Sequence, residues 1–156
     1  MHAFRIPAMV ASSILLFQSP EARLDQFQHE AERELRKPIS VAESDDLGMA
    51  NGQAFCDSNP VQIKIRTALD PETRQEVLAH ELGHAYLCGR GLLIFTRITS
   101  DAVKEGLTNV VSSLSSGIES CFVDPLVTVE MTKRGFKTDM YLAEESRTPG
   151  DRWRRL

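Results

Sequence analysis

The sequence predicts an α+β fold in which a small, mainly antiparallel sheet packs against several helices. Residues 61–67 alternate apolar and polar side chains without a break, which is the pattern of a half-buried strand. Residues 19–37 and 70–89 instead repeat apolar side chains at helical spacing, and each stretch begins with a capping residue followed by proline. A chain of 156 residues suits one domain with its own core, so residues 1–156 are expected to form a single domain.

The first half of the chain contains one predicted helix and two predicted short strands. The helix begins after Ser19, whose hydroxyl can accept a backbone hydrogen bond, and it ends before Pro38. Residues 39–43 alternate in polarity and predict a strand. Residues 53–56 predict a second strand, and the run rich in Asp, Gly and Asn between the two strands is typical of turns.

The alternating residues 61–67 place Val61, Ile63 and Ile65 on one face of a third strand. An exposed edge of this strand could bind an extended peptide, because main-chain hydrogen bonds orient a peptide without contacting its side chains. The alternative is a strand that serves only the sheet. The sequence leaves both interpretations open.

The segment that follows this strand predicts a helix with clear ends. Asp70 supplies a capping carboxylate ahead of a proline, and Gly89 ends the helix. Gly83 lies inside the helix, where glycine costs about 1 kcal/mol of stability relative to alanine. This cost predicts that another element packs closely against the helix at Gly83. Further helical segments are predicted within residues 100–134 and at residues 139–147.

The composition favours a globular protein that does not bind nucleic acid. Apolar residues make up 42% of the chain and charged residues 26%, which is enough of both for a core and a solvated surface. The net charge of −4 gives no basic excess to attract nucleic acid, and the basic residues 152–155 are expected to be a solvated end. The sequence leaves the oligomeric state open.

The three cysteines, Cys56, Cys88 and Cys121, lie far apart and are odd in number. This pattern does not predict a disulfide framework, and no pair has the spacing of metal ligands. The cysteines are therefore expected to be small buried residues, with Cys88 and Cys121 lining the core around the helix at residues 70–89. A reducing compartment, the cytoplasm, is the corresponding prediction for localisation.

An apolar stretch at residues 7–17 bears on this localisation. The stretch is too short to cross a bilayer, so no membrane span is expected. We interpret it as a buried first helix. The alternative is the apolar part of a signal peptide at residues 1–19, which would make the protein secreted.

The stretch with the clearest chemical content is His80-Glu81-Leu82-Gly83-His84. Residues four apart lie on one face of a helix, so His80 and His84 can offer two imidazole nitrogens to one zinc ion. Glu81 lies beside them, within reach of a water on that ion, where it can act as a general base. These residue types at this spacing are typical of zinc hydrolases.

A catalytic zinc ion needs a third protein ligand, and no histidine follows His84 in the sequence. The third ligand is therefore expected to be a carboxylate. Glu119 is the first choice, because it lies among small and apolar residues where a charge without a partner would be costly. Asp124 is the second choice, since it could bind the ion, accept a hydrogen bond from a histidine ring, or cap a helix that starts at Pro125. The other acids within plausible reach are Asp101, Glu105 and Glu130.

The predicted strand, the helical residues 77–87 (VLAHELGHAYL) and a glutamate on a following helix resemble the minimal core of the gluzincin metallopeptidases. Among these, the chain is similar to the small bacterial and phage-associated peptidases that cleave repressor proteins. The resemblance covers roughly residues 61–135 and is specific at the motif helix. It implies a zincin-like domain with a sheet packed on a zinc-binding helix, in which Zn²⁺ is bound by His80, His84 and Glu119.

The expected function is zinc-dependent hydrolysis of a peptide bond in a protein or peptide substrate, by a zinc-bound water that Glu81 activates. Three alternatives stay open. The chain could be a zinc-binding regulatory or interaction module without turnover, a zinc hydrolase of a non-peptide amide, or a metal-free structural domain. Hydrolysis also requires a group that stabilises the oxyanion, and the candidates are Tyr86, Tyr141 and Arg97.

Overall fold

The computed structural model describes residues 18–48, 50–92 and 119–138. Its elements in chain order are helix α1 (Pro20–Leu35), strands β1 (Ile39–Glu43), β2 (Gly52–Phe55) and β3 (Val61–Ile65), helix α2 (Pro71–Gly89), a π-helical turn (Glu119–Val123) and helix α3 (Asp124–Lys133). The described residues thus form three α-helices and a three-stranded sheet, which confirms the predicted α+β class.

The first two helices begin as the sequence predicts. The Ser19 hydroxyl accepts a hydrogen bond of 3.2 Å from the backbone N–H of Ala22. The Asp70 carboxylate accepts the N–H groups of Glu72 and Thr73 at 3.1 and 3.0 Å. The hydroxyl of Thr73 and these backbone bonds lower the pKa of Asp70. Both helix starts are therefore fixed by local side-chain chemistry.

The sheet is mixed, so the prediction of a mainly antiparallel sheet is wrong for the described strands. β3 lies in the middle, parallel to β1 with Val61 opposite Ile39, and antiparallel to β2 with Ile65 opposite Gly52. Consecutive strands reverse direction, so the first and third run the same way. Placing the third strand in the middle creates a parallel pair, which an alternating sequence pattern does not reveal.

The central position of β3 also decides how this strand is used. Both of its edges are paired, so the prediction that β3 offers a free edge to a peptide is wrong. The alternative, a strand that serves the sheet, is confirmed. Val61, Ile63 and Ile65 are fully buried, as the alternation predicts. Among the described strands, β2 is an outer strand that pairs with β3 alone.

Helix α1 packs along α2 at close range. Phe27 and Ala31 on α1 are fully buried. At the end of α2, a Cβ atom on Gly89 would lie 2.6 Å from the carbonyl carbon of Glu34 and from the backbone nitrogen of Leu35. Glycine at this position therefore allows the backbones of the two helices to approach each other.

Arg134, directly after α3, joins all three helices. Its guanidinium donates hydrogen bonds of 2.7 Å to the carboxylate of Glu130 and 2.9 Å to that of Glu30. It also lies 4.1 Å from the ring centroid of Phe27 and 4.7 Å from that of Tyr86. Burial alone would lower the pKa of Arg134, but the bonds to the two carboxylates outweigh burial and raise it.

Two of the three cysteines form a disulfide bond, which contradicts the prediction of unpaired cysteines. Cys56, directly after β2, is bonded to Cys88 in the last turn of α2, and their Cα atoms lie 6.4 Å apart. The two cysteines are 32 residues apart in the sequence, so the sequence does not indicate this contact. The turn into β3 and the length of α2 bring them together. Cys121 is unbonded and exposed, so it does not line the core as predicted.

Some predictions concern residues outside the described ranges. They include the buried helix or signal peptide at residues 7–17, the helical residues 100–118, the helix at residues 139–147 and the basic end at residues 152–155. Of the helices that the structure describes, none is both long enough and apolar enough to cross a membrane.

Candidate metal centre

The two histidines of the motif converge beside α2. His80 and His84 lie one helical turn apart, and their Nε2 atoms are 2.9 Å from each other. Their rings meet edge to face, with centroids 4.6 Å apart. His80 is buried and only 4% exposed, whereas His84 is half-buried. The predicted arrangement of both imidazoles on one face of a helix is confirmed.

A third donor atom comes from Asp124, the first residue of α3. Its Oδ1 atom lies 3.4 Å from Nε2 of His84 and 3.8 Å from Nε2 of His80. The three donor atoms all lie within 4.8 Å of one another. Within the described ranges, these three side chains form a group whose geometry could hold a metal ion.

The glycine inside the motif allows α3 to approach the histidines. A Cβ atom on Gly83 would lie 2.6 Å from Cγ1 of Val127, which is fully buried one turn after Asp124. The prediction that another element packs closely at Gly83 is therefore confirmed. Glycine lowers the stability of the helix at this position, but its missing side chain allows α2 and α3, the two helices that share the site, to lie close together.

The separations of the donor atoms lie within about 0.5 Å of those in a tetrahedral zinc site. With zinc–ligand bonds of about 2.0–2.1 Å, two ligand atoms of a tetrahedron lie about 3.3 Å apart. The observed separations of 2.9, 3.4 and 3.8 Å bracket this value. Two imidazole nitrogens and one carboxylate oxygen are also a common ligand set for catalytic zinc. The side chains at this site therefore fit a zinc ion.

The electrostatic environment keeps one of the imidazoles neutral. Burial, and after it repulsion from His84, lowers the pKa of His80 to about 3, although Asp124 acts in the opposite direction. An imidazole binds a metal ion only in its neutral form. His80 therefore keeps a nitrogen lone pair available at neutral pH and well below it.

No family model, curated protein or solved structure matches the chain. The likeness to gluzincins therefore stays a prediction from the motif.

Glu81, the predicted general base, is buried between α2 and the outer strand β2. Its side chain is 6% exposed. A Cβ atom added to Gly52 would lie 2.8 Å from Cγ and 2.9 Å from Oε1 of Glu81, so the backbone of β2 lies directly against this side chain. The carboxylate is thus shielded from solvent at the position adjoining His80 on the same helix.

The acids proposed as third ligand differ in where the structure places them. Asp124, the second choice, lies at the histidines. Glu119 lies in the π-helical turn that leads into α3, and its side chain is outside the described part of the structure, so its role as a ligand stays a prediction. Glu130 instead bonds to Lys133 and Arg134. Two further candidates lie outside the described ranges: Asp101 and Glu105.

The sequence ranked Asp124 second because Asp-Pro is a common way to begin a helix. In the structure the capping position of α3 is Val123, and no side chain caps this helix. The Asp124 carboxylate is therefore not used as a cap. The glycine in the motif indicated that a neighbouring element packs closely there, but it gave no indication of which residue of that element would face the histidines.

Tyr86 lies in the packing between the helices. Its ring centroid is 6.1 Å from that of Phe27, and the guanidinium groups of Arg134 and Arg90 lie 4.7 and 5.7 Å from it. These contacts support a packing role and do not support the proposed stabilisation of an oxyanion. The other two candidates for that role lie outside the described ranges: Arg97 and Tyr141.

Proposed function

We propose that the chain is a zinc-dependent metallopeptidase in which His80, His84 and Asp124 bind zinc and Glu81 is the general base. One observation carries the proposal: three donor atoms on two helices converge at the separations of zinc ligands. The buried carboxylate of Glu81 on the same helix adds to it. Two histidines that served only in packing would give no reason for a third donor atom beside them.

Each residue has a role that its position supports. A bound zinc ion would polarise the scissile carbonyl and lower the pKa of a water molecule toward about 7. His80 and His84 hold the ion from α2, and Asp124 holds it from α3. Glu81 accepts a proton from the attacking water and passes it to the leaving amine, a task that suits a carboxylate shielded from solvent.

The outer edge of β2 supports a peptide as the substrate. Among the described strands β2 pairs only with β3, and its first residue, Gly52, lies against Glu81. An extended peptide that adds to this edge through main-chain hydrogen bonds would pass beside the general base. A non-peptide amide would make no use of this edge, so we prefer peptide hydrolysis to that alternative.

The zinc content of the purified protein and two variants tests the metal site. Elemental analysis of the wild type is expected to give stoichiometric zinc. Asp124→Asn keeps the size of the side chain and removes its charge. We expect it to weaken zinc binding by at least about 100-fold, because loss of a group that only supports a ligand already costs about 10–100-fold. Glu119→Gln is the matched control and is expected to bind zinc as the wild type does.

Two outcomes would contradict this assignment. If Glu119→Gln lost zinc and Asp124→Asn kept it, Glu119 would be the third ligand. If the wild type bound no zinc, the chain would be a metal-free structural domain.

The variant Glu81→Gln tests the catalytic role. It is expected to bind zinc normally and to cleave a library of internally quenched peptides about 10²–10⁴-fold more slowly, which is the usual contribution of general acid–base catalysis. Asp57→Asn, at an exposed position, is the control and should retain full activity. Unchanged cleavage by Glu81→Gln would exclude this role.

A zinc-loaded wild type that cleaves no peptide would indicate a regulatory module, and cleavage of small amides alone would indicate the non-peptide hydrolase.

We also propose that the protein works in an oxidising compartment. The bond between Cys56 and Cys88 supports this, because structural disulfides persist in secreted and periplasmic proteins and are rare in the cytoplasm. The secreted alternative, with residues 1–19 as a signal peptide, agrees with it better than a cytoplasmic location. Maleimide labelling of denatured, unreduced protein from cells should tag Cys121 alone. Labelling of all three cysteines without a reductant would contradict the proposal.

A further inference from the structure

The start of β2 lies closer to the general base than any residue with a side chain could. A Cβ atom on Gly52 would lie 2.8 Å from Cγ and 2.9 Å from Oε1 of Glu81, and 2.6 Å from Cγ1 of Val77. Real Cβ atoms essentially never come within 3.0 Å of such neighbours. An alanine here would therefore force Glu81, Val77 or the strand to move.

Gly52 is itself held in place by the neighbouring strand β3 and by Arg66, which follows it. It is paired with Ile65 across the β2–β3 ladder, and the carbonyl of Asn51 accepts the backbone N–H of Arg66 at 2.8 Å. The guanidinium of Arg66 donates hydrogen bonds of 2.6 Å to the carbonyl of Gly48 and 2.8 Å to that of Ala50. The turn before β2 is thus anchored to the central strand, so the backbone at Gly52 is a fixed surface against which Glu81 rests.

We propose that Gly52 is a positioning residue for catalysis, which sets the place of the Glu81 carboxylate relative to the metal ligands. This inference rests on the proposed function and deepens it. Catalytic groups must be held within about 0.5 Å of their productive position. The added methyl group would use up all of that tolerance, because its distance to the carboxylate oxygen would have to rise from 2.9 Å, and its distance to Cγ from 2.8 Å, to the 3.4 Å of an ordinary contact. The zinc ligands, in contrast, are not among the nearest neighbours of Gly52.

The variant Gly52→Ala tests the inference, with Asp57→Ala as the control at an exposed position outside β2. Two measurements need no substrate. The first is the affinity for Co²⁺, in competition with a chelator. The second is the affinity of the Co²⁺-loaded protein for acetohydroxamate, from its visible absorption, because this chelator also forms a hydrogen bond with a carboxylate beside the metal.

We expect Gly52→Ala to keep its Co²⁺ affinity within about twofold and to bind acetohydroxamate about tenfold more weakly, as for loss of a hydrogen bond to a charged group. In peptide cleavage, kcat should fall about 10–100-fold with little change in KM, because a small displacement affects the reacting group and not the binding of the peptide. Asp57→Ala should match the wild type in all of these measurements.

The double variant Gly52→Ala/Val77→Ala separates this effect from a packing defect. Removing the methyl groups of Val77 relieves the apolar clash and leaves the clash with Glu81. The weak acetohydroxamate binding should therefore persist in the double variant. Recovery of wild-type binding would overturn the inference, as would a Gly52→Ala variant with unchanged acetohydroxamate affinity and kcat.

The behaviour of the wild-type protein distinguishes the proposed function from the proposed role of Gly52. A wild type that binds neither Co²⁺ nor acetohydroxamate overturns the proposed function, and this inference with it. If the wild type binds both and cleaves peptides, and Gly52→Ala does so equally well, the inference alone is overturned.

Discussion

The two faces of α2 use buried charges in different ways. On the face toward α1, Arg134 donates hydrogen bonds of 2.7 and 2.9 Å to two carboxylates. On the other face, the Asp124 carboxylate lies 3.4 and 3.8 Å from the histidine nitrogens, beyond the usual range of a hydrogen bond. The first group has the distances of direct ion pairing, and the second has the distances between ligands around an ion. The spacing of these atoms therefore distinguishes a packing cluster from a candidate metal site on the same helix.

The largest expected effect on stability comes from the disulfide bond, which stabilises both faces alike. Replacing Cys56 and Cys88 by serine should lower the free energy of unfolding by about 3–4 kcal/mol, from the entropy that a loop of this length gains in the unfolded chain. Zinc affinity should change little, since neither cysteine lies in the metal site. Urea unfolding with and without a reductant measures the first quantity, and competition with a chelator measures the second. A stability equal to that of the wild type would contradict the disulfide.

Removing the charge on the α1 face should affect stability and leave metal binding intact. Arg134→Ala is expected to lower the free energy of unfolding by about 3 kcal/mol, because Glu30 would lose this ion pair and Glu130 would keep only Lys133 in a poorly solvated position. Arg33→Ala, at an exposed position of α1, is the control and should cost less than about 0.5 kcal/mol. If zinc affinity fell together with stability in Arg134→Ala, the two faces would be one coupled unit.

The two close-packed glycines of α2 allow a sharper comparison. Gly89→Ala should cost about 2 kcal/mol, because the added Cβ meets the backbone of α1, which cannot rotate away. Gly83→Ala should cost about 1 kcal/mol, because it meets the side chain of Val127 and gains helix propensity. Only Gly83→Ala should weaken zinc binding, since it pushes Asp124 away from the histidines. Equal zinc affinities in the two variants would show that Gly83 does not set the position of Asp124 relative to the histidines.

The metal-free protein should also lose stability as the pH falls. The pKa of His80 is about 3 in the folded chain and near 6.5 in the unfolded chain. Below pH 6.5 the unfolded chain therefore gains a proton that the folded chain does not. The free energy of unfolding is thus highest above pH 6.5 and decreases as the pH falls toward 3. Urea unfolding at pH 7.5, 6.0 and 5.0 should show this loss, with a slope that approaches about 1.4 kcal/mol per pH unit.

The control for this slope is a histidine outside the site. His80→Gln should flatten the dependence between pH 7.5 and 5.0. His29→Gln should retain it, because His29 is exposed on α1. A wild-type stability that does not change across this pH range would show that His80 is not shielded as the structure indicates.

Features set by neighbours in the sequence were predicted well. The starts of α1 and α2 follow from Ser19 and Asp70, whose side chains cap the backbone a few residues further on. The pairing of His80 with His84 follows from the helical repeat. The three short strands were also located, because their alternation depends on burial of one face alone.

Features that join distant parts of the chain were not predicted. The parallel pairing of β1 with β3 depends on which strand takes the middle of the sheet, and the bond between Cys56 and Cys88 depends on the return path of α2. Among the acids considered as the third ligand, Asp124 was the second choice, and its position beside the histidines depends on how α3 crosses Gly83. All of these features depend on tertiary packing, which the local sequence pattern does not indicate.

The disulfide bond also determines what a single cut in the chain would do. The covalent loop between Cys56 and Cys88 contains β3, both histidines and Glu81. Its connection from β3 to α2 includes the exposed residues 67–68, where a protease has access to the backbone. A molecule cleaved there would keep its two fragments linked, with the motif helix still tied to β2. It would run as one species on a non-reducing gel and as two species after reduction.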